Sequence, residues 1–309
     1  MQTMRSGRWQ WLVSTLATLL IALCVPLGCG KHEPTFRFVF MTDIHVQPEQ
    51  RGAEGFRAAI QAVNALRPRP AFVITGGDLV MDALDQGYSR ADSLCRLYLA
   101  LIAEFQMPVY HCLGNHEVFG LYKTSGVDPA HPEFGKGMFK NRIGQGRTYR
   151  SFDHGGWHFV LLDGVGFTSE RTYYGYVDSL QIAWLASDLA QVDATTPVVL
   201  VTHIPLFTVA GQVARGPMTR PDPALAVTNA LQVLATCEGH YVPLVLQGHM
   251  HDVEEIVVRG THFVTGGAVS GAWWSGPYRG FPEGFVVVDV RGKNFTWQYK
   301  VYGWRTGTD

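Results

Sequence analysis

Apolar residues along the chain fall into short β-branched runs that alternate with stretches of helical spacing. Phe36 to Met41 reads as a first strand and ends in Thr42-Asp43-Ile44-His45. Gly55 to Leu66 then carries Phe56, Ala59, Ile60, Val63 and Leu66 at helical spacing, and Pro68 and Pro70 stop it. Ala71 to Ile74 is a second strand, broken at once by Gly76-Gly77-Asp78. Asp92 to Phe105 is a second helix with Leu94, Leu97, Tyr98, Leu101 and Ile102 on one face. Pro108 to Leu113 is a third strand and runs into Gly114-Asn115-His116-Glu117. Such strand–helix–strand repetition implies parallel pairing with helices packed outside.

Residues 119–147 break the rhythm with glycines and prolines, and read as an active-site loop or a small inserted subdomain. Thr148 to Phe152 and Trp157 to Leu162 flank Asp153-His154-Gly155-Gly156, a hairpin signal. Ser179 to Leu189 is a helix that Asp178 or Ser179 can cap. Pro197 to Val201 is a strand ending in Thr202-His203. A loop at 207–221 leads to a helix from Pro223 to about Cys237. Val242 to Leu246 is a strand ending in Gly248-His249-Met250-His251. The remaining runs, His262 to Val264, Gly284 to Val290 and Phe295 to Tyr302, read as antiparallel strands. With no internal repeat and no low-complexity linker, one domain over residues 34–309 is the economical organisation.

Residues 1–33 have a different character. Arg5 and Arg8 precede an almost wholly apolar run, Trp11 to Leu27, followed by Gly28-Cys29. This is the pattern of a secretory signal peptide. Cys29 after a small residue also fits a lipoprotein signal, although Pro26 stands where that pattern prefers an aliphatic residue. The domain is therefore expected to be exported, either free in the periplasm or tethered to the membrane by a lipid on Cys29. The other cysteines, Cys95, Cys112 and Cys237, lack metal-type spacing and are expected as buried apolar side chains.

Composition narrows the function further. The chain has 309 residues and is 47% hydrophobic and 17% charged, with a formal net charge of −1. It has no basic surplus, so no specific nucleic-acid binding is expected. The 12 histidines are many for this length, and their placement is informative. Five apolar runs end in Asp-x-His, Gly-Asp, Gly-Asn-His, Thr-His and Gly-His-x-His. In open α/β sheets, ligand sites lie beyond the carboxyl ends of strands. Asp43 and His45, two apart on what reads as extended chain, would point to one side, as would His249 and His251. Imidazole, carboxylate and amide without thiolate exclude a cysteine-type structural zinc site and suit Mn, Fe, Zn or Co. Asp43, His45, Asp78, Asn115, His203, His249 and His251 supply about the number of ligands that two ions need when one carboxylate is shared.

The ordered set Asp-x-His, Gly-Asp, Gly-Asn-His-Glu, His and Gly-His-x-His resembles the calcineurin-like metallophosphoesterase superfamily over residues 36–251. The resemblance implies an α/β (α+β) fold, a four-layer α-β-β-α sandwich with two mixed central β-sheets. It also implies that Asp43, His45 and His251 hold one metal, that Asn115, His203 and His249 hold the other, and that Asp78 bridges them. His116 would assist the leaving group, and a hydroxide between the two ions would attack phosphorus. The expected partner is a small phosphoester substrate. Purple acid phosphatases carry tyrosine three residues beyond the bridging aspartate, and here that residue is Met81. The chain looks more like the bacterial cyclic-nucleotide phosphodiesterase-like and general phosphoesterase branch. Diester and monoester substrates both remain open, as does a non-catalytic phospho-ligand-binding protein. Glu117 would either orient His116 or face solvent. Trp273 and Trp274, being adjacent, would either both pack or place one ring at the rim of the site.

Overall fold

The computed structural model describes residues 33–306. The apolar run around Trp11 to Leu27, Cys29 and the expected export signal lie outside them. Among the described residues, no helix is long and apolar enough to cross a membrane.

In chain order the elements are β1 (Thr35–Met41), α1 (Gly52–Asn64), β2 (Phe72–Thr75), α2 (Tyr88–Ile102), β3 (Val109–His111), α3 (Gly137–Arg142), β4 (Arg150–His154), β5 (Trp157–Leu161), β6 (Val165–Phe167), β7 (Tyr173–Gly175), α4 (Ser179–Leu189), β8 (Val198–Thr202), α5 (Ala210–Arg215), α6 (Ala230–Thr236), β9 (Leu244–Gln247), β10 (Val253–Val258), β11 (Thr261–Gly266), β12 (Gly284–Arg291) and β13 (Asn294–Val301). One sheet has the order β13-β12-β1-β2-β3, the other β10-β11-β9-β8-β5-β4, and β6-β7 is a separate hairpin. Both large sheets are mixed. β1, β2 and β3 are parallel, as are β5, β8, β9 and β11, and antiparallel strands lie at the margins.

Strand alternation explains the layering. Phe38, Phe40, Phe72 and Ile74 on the first sheet pack with Phe159, Leu161, Val199, Val201, Leu244 and Leu246 on the second. Their neighbours Val39, Met41, Val73, Val160, Val198 and Leu200 join a different apolar cluster that includes the buried faces of α1, α2 and α4. Successive side chains on a strand point to opposite faces, so apolar residues at every position mean a sheet covered on both sides. Phe159 meets Phe38 and Phe72 edge-on across the inter-sheet gap, with centroids at 5.3 and 5.1 Å. The expected α-β-β-α sandwich is what forms.

Several expectations need correction. The helix expected from Pro223 forms only over Ala230–Thr236. Before it, Asp222 Oδ1 accepts the Ala224 N–H at 2.9 Å, and the Thr228 N–H and hydroxyl both bond back to Gly175. These local bonds compete with a helical turn. β11 pairs parallel to β9, not antiparallel, and its antiparallel partner is β10, whose Glu254 and Glu255 hid an edge strand. The loop at 207–221 contains the short helix α5. Residues 119–147 form a packed excursion. Arg171 holds it by donating to the carbonyls of Gly120, Leu121, Tyr122 and Val127. Cys95, Cys112 and Cys237 are buried and free, as expected.

Candidate metal centre

The extensions of β1 and β2 stay paired beyond the strands. Gly76 N donates to Met41 O at 2.7 Å, Asp43 N to Gly77 O at 3.1 Å and His45 N to Asp78 O at 2.8 Å. The two sheets are then stapled at this end. The Asp43 carboxylate accepts the His249 N–H at 3.0 and 3.1 Å, and His203 Nδ1 donates to Gly76 O at 2.8 Å. Glycine is required where these loops meet. A Cβ on Gly114 would lie 2.1 Å from Asp78 N, and one on Gly77, at φ +94°, would lie 2.7 Å from the His203 ring.

All seven expected donors and His116 come together here. Asp43, His45 and His251 form one group whose ligand-capable atoms lie within 4.8 Å of one another. Asp78, His203 and His249 form a second, and Asn115 Oδ1 joins it 3.1 Å from His203 Nε2. Asp78 Oδ2 lies between the groups, 3.1 Å from His203 Nε2 and 3.7 Å from His45 Nε2. His116 Nε2 is 3.8 Å from the same oxygen.

The route to this convergence differs from the expected one. Asp43 and His45 are not on extended chain, and neither are His249 and His251. Their φ angles are +54°, +47°, +71° and +58°, and Asp78 is at +50°. Left-handed backbone in a non-glycine residue costs on the order of 1–3 kcal/mol. The strand-end pairing and the buried carboxylate bonds hold these residues in place. Left-handed backbone at these residues, rather than the two-residue pleat, aims each pair into the cleft.

Hydrogen bonds settle which ring nitrogens are free. His203 Nδ1 donates to Gly76 O, His251 Nδ1 to Gly271 O at 2.6 Å, His249 Nε2 to Ala224 O at 3.1 Å and His116 Nδ1 to Met81 O at 2.5 Å. A neutral imidazole that donates through one nitrogen presents a lone pair on the other. His203 Nε2 therefore aims a lone pair at Asp78 Oδ2 and Asn115 Oδ1, both acceptors. His251 Nε2 faces Asp43 Oδ1 at 3.3 Å and His45 Nε2 at 3.2 Å. Buried acceptors converging on acceptors repel unless a cation or a proton lies among them. The donor set thus fits two divalent ions, and the backbone carbonyls orient it.

Charge is distributed accordingly. Burial opposes ionisation of Asp43, but the His251 ring overrides it and holds the carboxyl at about 2. Asp78 is likewise held well below its ordinary range against burial, chiefly by His203 and His116. Burial depresses His203, yet Asp78 raises it to about 9. Burial and the neighbouring His203 lower His249 to about 4. Below pH ~9 a cation at the second group must displace the proton on His203, so its apparent affinity falls as pH falls. Ions present at about a thousand times Kd add about 4 kcal/mol of stability. Chelation at pH 7.5 is therefore expected to lower Tm by on the order of 10 °C, read by scanning calorimetry. An unchanged Tm would mean that these groups hold no ion.

Glu117 neither touches His116 nor reaches solvent. Its Oε1 accepts the N–H groups of Leu79 and Val80 at 2.7 and 3.1 Å, and Oε2 accepts that of Gly114 at 2.9 Å. It ties the Asp78 loop to the Asn115 loop. Burial and the Asp78 charge push its carboxyl up to about 7, against the Val80 and Gly114 N–H groups and the nearby His203 ring. In Glu117→Gln the new amide would confront a backbone N–H. A buried donor without an acceptor costs about 1–3 kcal/mol, so Tm is expected to drop by roughly 5 °C. Equal melting curves for variant and wild type would rule out the tie.

The four carbonyls that orient the histidines have no signature in the sequence, because a carbonyl belongs to every residue. The adjacent tryptophans divide between the two expected placements. Trp274 is buried, whereas Trp273 is 36% exposed and tilts over His251 at 4.6 Å between centroids.

The profile of the calcineurin-like phosphoesterase family matches residues 36–253. A 3',5'-cyclic-nucleotide phosphodiesterase of Nostoc sp. is 23% identical over 220 residues, 68% of this chain and 70% of that protein. A probable cyclic nucleotide phosphodiesterase of Rhodopseudomonas palustris is 26% identical over 55% of this chain and 58% of its own length. Among solved structures, a dimetal phosphatase from Danio rerio superimposes with a TM-score of 0.57 at 18% identity, covering 88% of this chain and all of that one. The donor chemistry and the family match over most of the described residues agree: the chain belongs to the calcineurin-like phosphoesterase family, and its donor clusters fit a metal-dependent phosphoester hydrolase.

Proposed function

We propose that this protein is an exported phosphodiesterase that acts on nucleotide-type diesters. Asp43, His45 and His251 would hold one ion, Asn115, His203 and His249 the other, and Asp78 both. The observation that carries the reading is Asp78 Oδ2, which lies between two donor groups while Oδ1 is fixed by the His116 N–H at 3.0 Å. Two divalent ions bound there supply Lewis acidity toward a phosphoryl oxygen and a nucleophile at neutral pH. With two divalent ions bound, the Asp43 and Asp78 charges would not fully neutralise them, and the remaining positive charge would attract an anionic phosphoryl group. His116 delivers a proton to the departing oxygen from Nε2, its Nδ1 being committed to Met81 O.

Two facts support diesters over monoesters. Both curated relatives named above are called cyclic-nucleotide phosphodiesterases. Among the described residues, no lysine or arginine pairs with the seven donors, and Arg279 is engaged by Asp252 at 3.4 Å. A monoester dianion profits from such cations, while a diester monoanion does not need them. Export rests on Arg5, Arg8 and the apolar run before Cys29. Mass spectrometry of the mature N-terminus distinguishes a lipidated Cys29 from a cleaved signal.

The test is a substrate panel with protein stripped by chelator and reloaded with Mn, Fe, Zn or Co. It compares 3',5'-cyclic AMP, bis-p-nitrophenyl phosphate and p-nitrophenyl phosphate. Turnover of the diesters at the higher kcat/KM is expected. Exclusive turnover of the monoester would replace this reading with a phosphomonoesterase. Binding without turnover of any of them would favour a silent phospho-ligand-binding protein.

A further inference from the structure

Residues 269–274 are bolted to the donor loop that follows β1. Val269 N and Ser270 N donate to the carbonyls of Thr42 and Asp43 at 3.0 and 3.2 Å, and Ser270 Oγ donates to Asp43 O at 2.8 Å. Trp274 Nε1 donates to His45 O at 2.9 Å, and its ring packs so closely on α1 that a Cβ on Gly55 would lie 2.3 Å from it. Both tryptophans have left-handed backbone, at φ +50° and +72°. With Trp274 turned into the core, Trp273 is turned out over the candidate donors. Its ring is 4.6 Å from that of His251 and 6.0 Å from that of His45, and Tyr278 meets it edge-on at 5.8 Å. Arg279 lies over Tyr278 at 4.9 Å. Trp274 already supplies the packing, so a strained backbone that presents a half-exposed indole beside ionic groups calls for another cause.

We propose that Trp273, backed by Tyr278, is a specificity platform that stacks a planar aromatic substituent carried by the phosphoester. The inference rests on the hydrolase reading and adds a substrate class to it: phosphoesters bearing a nucleobase or an aryl ring, in preference to purely alkyl ones. Stacking suits this place because any such ring offers a π-face and needs no hydrogen-bond code. The competing role is a prop for the donors, since His45 Nδ1 is buried without a hydrogen-bond partner among the described residues and its ring is held by packing.

Calorimetric binding to metal-loaded protein separates the two roles, with AMP, ribose 5-phosphate, phenyl phosphate and methyl phosphate as probes. In Trp273→Ala and Trp273→Leu, AMP affinity is expected to fall roughly tenfold or more, while ribose 5-phosphate changes by less than about twofold. Trp273→Phe is expected to keep most of the AMP affinity, and metal stoichiometry is expected to be unchanged in all three. A parallel loss for phenyl phosphate but not methyl phosphate extends the platform to aryl esters. Its absence overturns stacking on a bare aryl ring, since that ring offers the same π-face. Equal weakening of AMP and ribose 5-phosphate, or loss of metal in Trp273→Leu, overturns the proposal in favour of the prop. Wild-type protein that prefers AMP to ribose 5-phosphate yet turns over no phosphoester would sink the hydrolase reading and leave the platform standing.

Discussion

Asp78→Asn is expected to empty both candidate cation sites together and to lower kcat by about 10³-fold or more, since each tenfold corresponds to 1.36 kcal/mol and a bound divalent ion supplies several. The carboxylate is buried, and its Oδ2 faces His45 from one donor group and His203 from the other. Asparagine has the same shape, and its carbonyl can still accept the His116 N–H that Asp78 Oδ1 accepts. What changes is charge and donor capacity. The amide would give a hydrogen to the lone pair of His203 Nε2, which satisfies the cluster without a cation. The variant should therefore fold, show wild-type circular dichroism and melt no lower than chelated wild type. Metal analysis after dialysis is the decisive measurement. Retention of one full equivalent, with more than about a tenth of wild-type activity, would show that the carboxylate serves only one group and that the two sites are independent.

Much of this site was legible because its donors sit where apolar runs stop. Val39, Phe40 and Met41, or Val199, Leu200 and Val201, can only be strands buried on both faces, so the polar residue that follows must lie at a sheet end. The pairing of β1 with β2 and of β8 with β9 then brings those ends side by side. The backbone at the ends was not legible. Nothing in Asp43-Ile44-His45 signals positive φ at both polar residues, because the cause lies in remote partners: Gly77 O, Asp78 O and the Ser270 hydroxyl. Glu117 shows the same limit. Its neighbours in sequence suggest a partner for His116, whereas two of its three actual partners are amides 37 and 38 residues away. The edge strand β10 escaped because Glu254 and Glu255 break its apolar pattern. Glu254 instead serves the Val209 N–H, and Glu255 pairs with His262 and Trp297.

His116 is the residue for which two roles compete, and His116→Gln decides between them. Its ligand-capable nitrogen falls within 4.8 Å of the ligand-capable atoms of His45 and Asp78, which makes it a candidate eighth donor. Two observations argue otherwise. Each of the other two groups already has three donors of its own. The His116 side chain is 22% exposed, against 1% for His45 and 0% for His203, which gives it access to an incoming ligand. With Nδ1 held by Met81 O, Nε2 can carry a proton toward the oxygen that leaves phosphorus. Glutamine can hydrogen-bond but cannot transfer that proton, so kcat is expected to fall by about 10²–10⁴-fold with metal content unchanged. The loss should depend on the leaving group. An alkoxide from a cyclic nucleotide needs the proton and should show the full effect, while p-nitrophenolate departs without one and should lose roughly tenfold or less. Equal losses on both substrates, accompanied by a drop in bound metal, would make His116 a ligand and leave the departing oxygen to take its proton from water.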